Sequence, residues 1–174
     1  MAARRTSFLF PKDAAAELAA IRQQSCVDDD SDAIRLALSV LEALIEIAGS
    51  GSKIFIRDGN GKLWPYSPFR RFTYDGLARA AQNAPPPPAA EPKNFFFSGE
   101  AVERMDLIRE RTDLSTHSDV IRFALLTLNQ LLTIDSLGDE VVVRDRADRD
   151  EIFNVFDPRA RRQALNRAKE LVPA

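Results

Sequence analysis

Ser31-Asp32-Ala33-Ile34-Arg35-Leu36-Ala37-Leu38 is written a second time as Ser118-Asp119-Val120-Ile121-Arg122-Phe123-Ala124-Leu125. The offset is 87 residues, half of the 174 in the chain. Working outward from this octapeptide, the match continues without a gap from about Ser7–Phe69 onto Asn94–Phe156. Phe8 meets Phe95, Phe10 meets Phe97, Ile21-Arg22 meets Ile108-Arg109, Gly51 meets Gly138, and Arg57-Asp58 meets Arg144-Asp145. Two copies are too few for a solenoid, which needs about three repeats to bury its core. They suit a dimer whose subunits have become one chain.

Each copy opens with a short segment rich in aromatics, Thr6–Phe10 or Lys93–Phe97, whose imperfect alternation suggests a strand. Pro11 ends the first strand and suits the start of a helix running to about Gln24. Ala14, Leu18 and Ile21 form one face of that helix, matched by Ala101, Met105 and Ile108. A polar break follows, Cys26–Asp30 or Asp113–His117, with capping residues for the next helix. That second helix carries Ile34, Leu38, Leu41 and Ile45, or Ile121, Leu125, Leu128 and Leu132, as a core-facing stripe. Gly49 and Gly51 stop it in copy one, and Gly138 in copy two.

Beyond the helix comes a strand, Lys53–Arg57 or Glu140–Arg144. Asp58-Gly59-Asn60-Gly61 then predicts a hairpin through Leu63–Tyr66. The matching Asp145–Asp150 has no glycine to mark its turn. Short helices are expected at about Tyr74–Gln82 and Pro158–Leu171. The chain therefore reads as repeat 1–83, a proline-rich spacer 84–92 and repeat 93–174. Polyproline is extended at about 3.1 Å per residue and stiff, and a spacer is a simpler role for it than a docking motif.

Composition narrows the function classes. With 45% hydrophobic and 29% charged residues the chain is neither disordered nor membrane-like, and no apolar run approaches a membrane span. The single Cys26 cannot form an internal disulfide, which fits a reducing cytoplasm. A net charge of −2 argues against a bulk nucleic-acid coat and leaves local basic patches. One His and one Cys make no ordinary zinc set, and neither a phosphate loop nor a nucleophile elbow is present. Neither an enzyme nor a cofactor is expected.

Strand, helix, polar turn and a helix opening Ser-Asp-X-Ile-Arg-X-Ala-Leu resembles the ribbon-helix-helix family, which includes the MetJ and Arc repressors. The likeness covers about half of each period, and its recurrence at a fixed offset strengthens it. The resemblance implies an α+β fold: a tandem ribbon-helix-helix forming an intramolecular pseudo-dimer, each copy extended by a hairpin and short helix. It also implies sequence-specific binding of double-stranded DNA, with an antiparallel ribbon in the major groove. The chain would act as a transcriptional regulator or a plasmid or phage DNA-processing accessory protein.

With Phe8, Phe10, Phe95 and Phe97 turned inward, Arg5, Ser7, Leu9, Asn94 and Phe96 form the expected base-reading face. A slip of one residue would exchange the two faces. Leu9 and Phe96 depart from the family's polar pattern. They suit thymine methyls or, on the rival reading, a protein partner covering the ribbon of an antitoxin-like or adaptor module. Phosphate contacts are expected from Arg4, Ser31, Thr116, His117, Ser118, Arg159, Arg161 and Arg162. Asp28-Asp29-Asp30 makes copy one the poorer phosphate clamp of the two. Arg35 and Arg122 are better read as ion-pair partners within the fold than as base contacts. The chain is expected to act as a monomeric pseudo-dimer, with further assembly left open and no membrane partner.

Overall fold

The computed structural model describes residues 6–10, 12–25, 27–69, 74–83, 91 and 93–157. Copy one runs β1 (Thr6–Phe10), α1 (Lys12–Ser25), α2 (Asp30–Gly49), β2 (Lys53–Arg57), β3 (Leu63–Tyr66) and α3 (Asp75–Asn83). Copy two runs β4 (Lys93–Phe97), α4 (Gly99–Thr112), α5 (His117–Ser136), β5 (Glu140–Arg144) and β6 (Asp150–Ile152). The strand–helix–helix unit with a following hairpin thus occurs twice, and the fold is a tandem ribbon-helix-helix pseudo-dimer. The helix expected at Pro158–Leu171 and most of the proline-rich spacer lie outside the described residues.

The chain divides into two compact units, each drawing on both repeats: Met1–Leu41 with Pro85–Asn129, and Glu42–Ala84 with Gln130–Ala174. The first holds the ribbon. β1 and β4 pair antiparallel with Phe8 opposite Phe95, so the central pair is a residue and its own repeat counterpart. Phe10 and Phe97 are buried. Each meets a ring of the other strand edge-on, Phe10 with Phe95 at 4.7 Å between centroids and Phe97 with Phe8 at 5.3 Å. Beneath them the expected stripes close: Leu18 and Ile21 of α1, Met105 and Ile108 of α4, Ile34, Leu38 and Leu41 of α2, and Ile121, Leu125 and Leu128 of α5 are all buried. Removing this much aliphatic surface from water is the main drive for the fold, about 1.5–3 kcal/mol for each large side chain.

The second unit holds an arrangement the hairpin signals alone do not announce. The two hairpins join through β2 and β5 into a four-stranded sheet ordered β3-β2-β5-β6. β2 and β5 are antiparallel with Phe55 opposite Val142, again a residue facing its own counterpart. Ile54, Ile56, Val141 and Val143 are buried on one face. Across the other face Arg57 and Arg144 both reach the Asp150 carboxylate, and Arg144 lies over the Phe55 ring.

The turn without glycine forms after all. Asp58 Oδ1 accepts from the amides of Asn60 and Lys62, and Asp145 Oδ1 accepts from those of Ala147 and Arg149. Both are Asx-type turns in which the carboxylate organises the loop. Helix α2 is followed by Gly51 at φ 83° and α5 by Gly138 at φ 76°, left-handed positions that glycine occupies without steric cost.

Candidate nucleic-acid interface

The ribbon alternates as its aromatics require. Leu9 is 64% exposed and Phe96 71%, and Asn94 is exposed beside them. The inward set is Phe10 and Phe97, with Phe8 and Phe95 half-buried, so the expected assignment of faces holds at these positions. Leu9 stands directly opposite Asn94, and Ser7 opposite Phe96. These two pairs are related by the repeat, so one apolar and one polar residue type face each other at each end. Leu9 and Phe96 are diagonal neighbours, a separation of roughly 7–8 Å between such positions. Neither Thr6–Phe10 nor Lys93–Phe97 contains an acidic residue, although the chain carries more acids than bases. Arg4 and Arg5 lie outside the described residues, as does the Ser7 side chain, and so do Arg159, Arg161 and Arg162.

The second helix of each copy starts at equivalent positions but with opposite chemistry. In copy two Thr116 caps α5: its hydroxyl accepts from the Asp119 amide at 3.1 Å, while Asp119 Oδ2 accepts from the Thr116 amide at 3.1 Å. This is the reciprocal capping box. In copy one the cap is Asp29, whose Oδ1 accepts from the Asp32 amide at 2.8 Å. Ser31 and Thr116 are exposed and Ser118 is half-buried, all within a residue or two of a helix start. The first amides of a helix have no partner within it, which favours an anion there.

His117, the first residue of α5, is tied down. Its Nε2 lies 2.8 Å from Asp106 Oδ1 on α4, and its ring meets Phe8 edge-on at 5.6 Å between centroids. A phosphate at this helix start would therefore meet its backbone amide or Nδ1, not Nε2. Asp106 also pairs with Arg109 at 3.4 Å. At the matching place in copy one stands Asp30, held by Arg22 at 3.2 Å and by Lys93 at 2.6 Å. Arg22 also donates to the Asp28 carbonyl at 2.6 Å. Three carboxylates at 28–30 set against these two cations leave one net negative charge, a milder obstacle to phosphate than the bare sequence suggests.

Arg35 pairs with Asp32 at 2.9 Å, as expected for a residue serving the fold. Arg122 does not repeat this, because its Asp119 is engaged in the capping box; among the described residues no ion pair of Arg122 is found. It borders a shallow apolar cavity of about 280 Å³ with Ala14, Leu114, Phe123 and Leu126. Among the described residues no cluster of His, Cys, Asp and Glu is arranged to hold a metal, and no helix is long and apolar enough to cross a membrane.

Two features of this surface escape the sequence: the Asp106–His117 pair and the Lys93–Asp30 pair. The repeat gives no hint of them, since Asp106 matches Ala19 and Lys93 matches Thr6. No family model, curated protein or solved structure matches the chain.

Proposed function

We propose that the β1–β4 ribbon reads double-stranded DNA in the major groove, as a sequence-specific, non-enzymatic binder of the MetJ and Arc type. The observation that carries this reading is the open, acid-free outer face of the ribbon, with Leu9, Asn94 and Phe96 all exposed. A two-stranded ribbon fits the major groove, where each base pair presents a distinct pattern of donors and acceptors. Asn94 suits adenine and Arg5 guanine, with Ser7 able to serve either. The starts of α2 and α5 supply amides for flanking phosphates, helped by Ser31, Thr116, His117 and Ser118. Arg4, Arg159, Arg161 and Arg162 supply further phosphate contacts. Such a protein serves as a transcriptional regulator or as an accessory factor in plasmid or phage DNA handling, in a reducing cytoplasm that leaves Cys26 free.

The test is retention of duplexes from a randomised pool at low salt, followed by a salt titration. Specific binding that weakens as salt rises is expected. Asn94→Ala relaxes preference at one position, whereas Arg161→Ala weakens all sequences alike. Failure to retain any duplex would sink the proposal. A second reading, a protein-interaction module with its ribbon covered by a partner, draws on the exposed Leu9 and Phe96. It expects a bound protein that Phe96→Ser releases, with no duplex retained.

A further inference from the structure

We infer that the ribbon recognises the 5-methyl groups of two thymines, on opposite strands and two base steps apart, through Leu9 and Phe96. This rests on the DNA-binding reading above and gives it a chemical target. An ordinary solvent-facing ribbon gains nothing from two large apolar side chains on its outer face. Here they are the two most exposed of the large hydrophobic side chains among the described residues, at 64% and 71%. In the major groove the apolar feature of a base edge is the thymine methyl.

The register sets the spacing. Leu9 is opposite Asn94, and Phe96 lies two residues further along the same strand as Asn94. Two residues of strand advance about 6.8 Å. Two base steps advance about the same distance, at roughly 3.4 Å each. Leu9 and Phe96 stand on different strands of the ribbon, and the proposed docking sets each against a different strand of the duplex. The polar partner completes each pair: Asn94 beside Leu9 suits the adenine of the base pair whose thymine Leu9 touches. Ser7 stands in the same relation to Phe96. The core of the site is therefore a three-base-pair element with an A·T pair at each end and the thymines on opposite strands. Charge does not oppose this occupant: the ten ribbon residues include no carboxylate, and their one cation, Lys93, balances Asp30.

The experiment uses the full chain and a duplex retained from the randomised pool. Each thymine is replaced in turn by deoxyuridine, which removes only the methyl group. A loss of about four-fold in affinity is expected at two thymines on opposite strands, two steps apart, as for one buried methyl-sized group. Leu9→Ala abolishes one of these penalties and Phe96→Ala the other. Both variants alter exposed side chains, and the uracil scan on the unaltered chain stands without them. If a duplex is retained but uracil carries no penalty at any position, or the penalties survive in both variants, the inference is overturned while DNA binding stands. Retention of no duplex at all overturns both.

Discussion

Asp148 holds at φ 57° the left-handed turn position that Gly61, its counterpart one repeat earlier, holds at φ 79°. The two turns share their hydrogen bonds: Gly61 donates to the Asp58 carbonyl at 2.8 Å, and Asp148 to that of Asp145 at 3.1 Å. They differ in the strain of placing a Cβ in this region, about 1–2 kcal/mol for an ordinary residue and less for Asp. Asp148→Gly is therefore expected to stabilise the protein by up to about 1 kcal/mol, offset in part by the freedom glycine adds to the unfolded chain. Gly61→Val should destabilise it by about 1–3 kcal/mol. Urea midpoints of the two variants check the pair, and equal shifts of the same sign would contradict the turn assignment.

The ribbon makes a second prediction, about which face is which. Phe10 and Phe97 are buried, whereas Leu9 and Phe96 point to solvent. Phe10→Ala and Phe97→Ala should each cost about 3–5 kcal/mol. Leu9→Ala and Phe96→Ala should stay within about 0.5 kcal/mol of the parent. Thermal or urea unfolding separates the two sets. A reversed pattern would mean the strands are set one residue away from this register.

The pH dependence of stability has a defined sign at the sheet. Asp150 receives Arg144 at 2.7 Å and Arg57 at 3.1 Å. The hydrogen bond from Arg144, reinforced by the charges of Arg144 and Arg57, holds its carboxyl below the ordinary carboxylate range. Its folded pKa is thus lower than its unfolded one. The ion pairs contribute fully above the unfolded value of about 3.9 and are lost as pH falls through the lower folded value. Asp150→Asn is expected to be less stable than the parent at pH 6, with the gap closing below about pH 4. Urea midpoints between pH 6 and pH 2 measure this, and a gap that stays constant would exclude the linkage.

Helices α1, α2, α4 and α5 and their buried stripes were legible because a 3.6-residue period and an exact repeat offset agree over long segments. Strands β2, β3 and β5 were equally legible. The Asp58–Gly61 turn also announced the β2–β3 hairpin, but not the β2–β5 pairing, because alternation in Ile54–Ile56 or Val141–Val143 says which face is buried and nothing about which further strand lies alongside. The available signal was the two-fold relation itself: if Phe8 faces Phe95, a residue facing its own counterpart is the pattern to test at Phe55 and Val142. On the candidate interface, Leu9, Asn94 and Phe96 were placed by alternation alone. The ion pairs of Asp30 and His117 were not, since they join residues that differ between the copies and come from separate elements.

The charge difference between the two helix starts yields the last prediction. Asp29 and Thr116 occupy equivalent places and cap α2 and α5 through equivalent bonds, at 2.8 Å and 3.1 Å. Both residue types are good caps, so Asp29→Thr should change stability by less than about 1 kcal/mol. It removes one negative charge from the helix start proposed to approach phosphate. At a separation of roughly 7 Å in water that repulsion is worth about 0.6 kcal/mol, or nearly three-fold in affinity. Asp29→Thr is therefore expected to bind duplex DNA about three times more tightly at low salt, and Thr116→Asp correspondingly more weakly. Both effects should fade as the salt concentration rises and the Debye length shrinks below the separation. Affinity measured across a salt series, with unfolding midpoints as the control, tests the assignment. Unchanged affinity in both variants at low salt would place the helix starts away from the DNA backbone and leave the ribbon to hold the duplex without them.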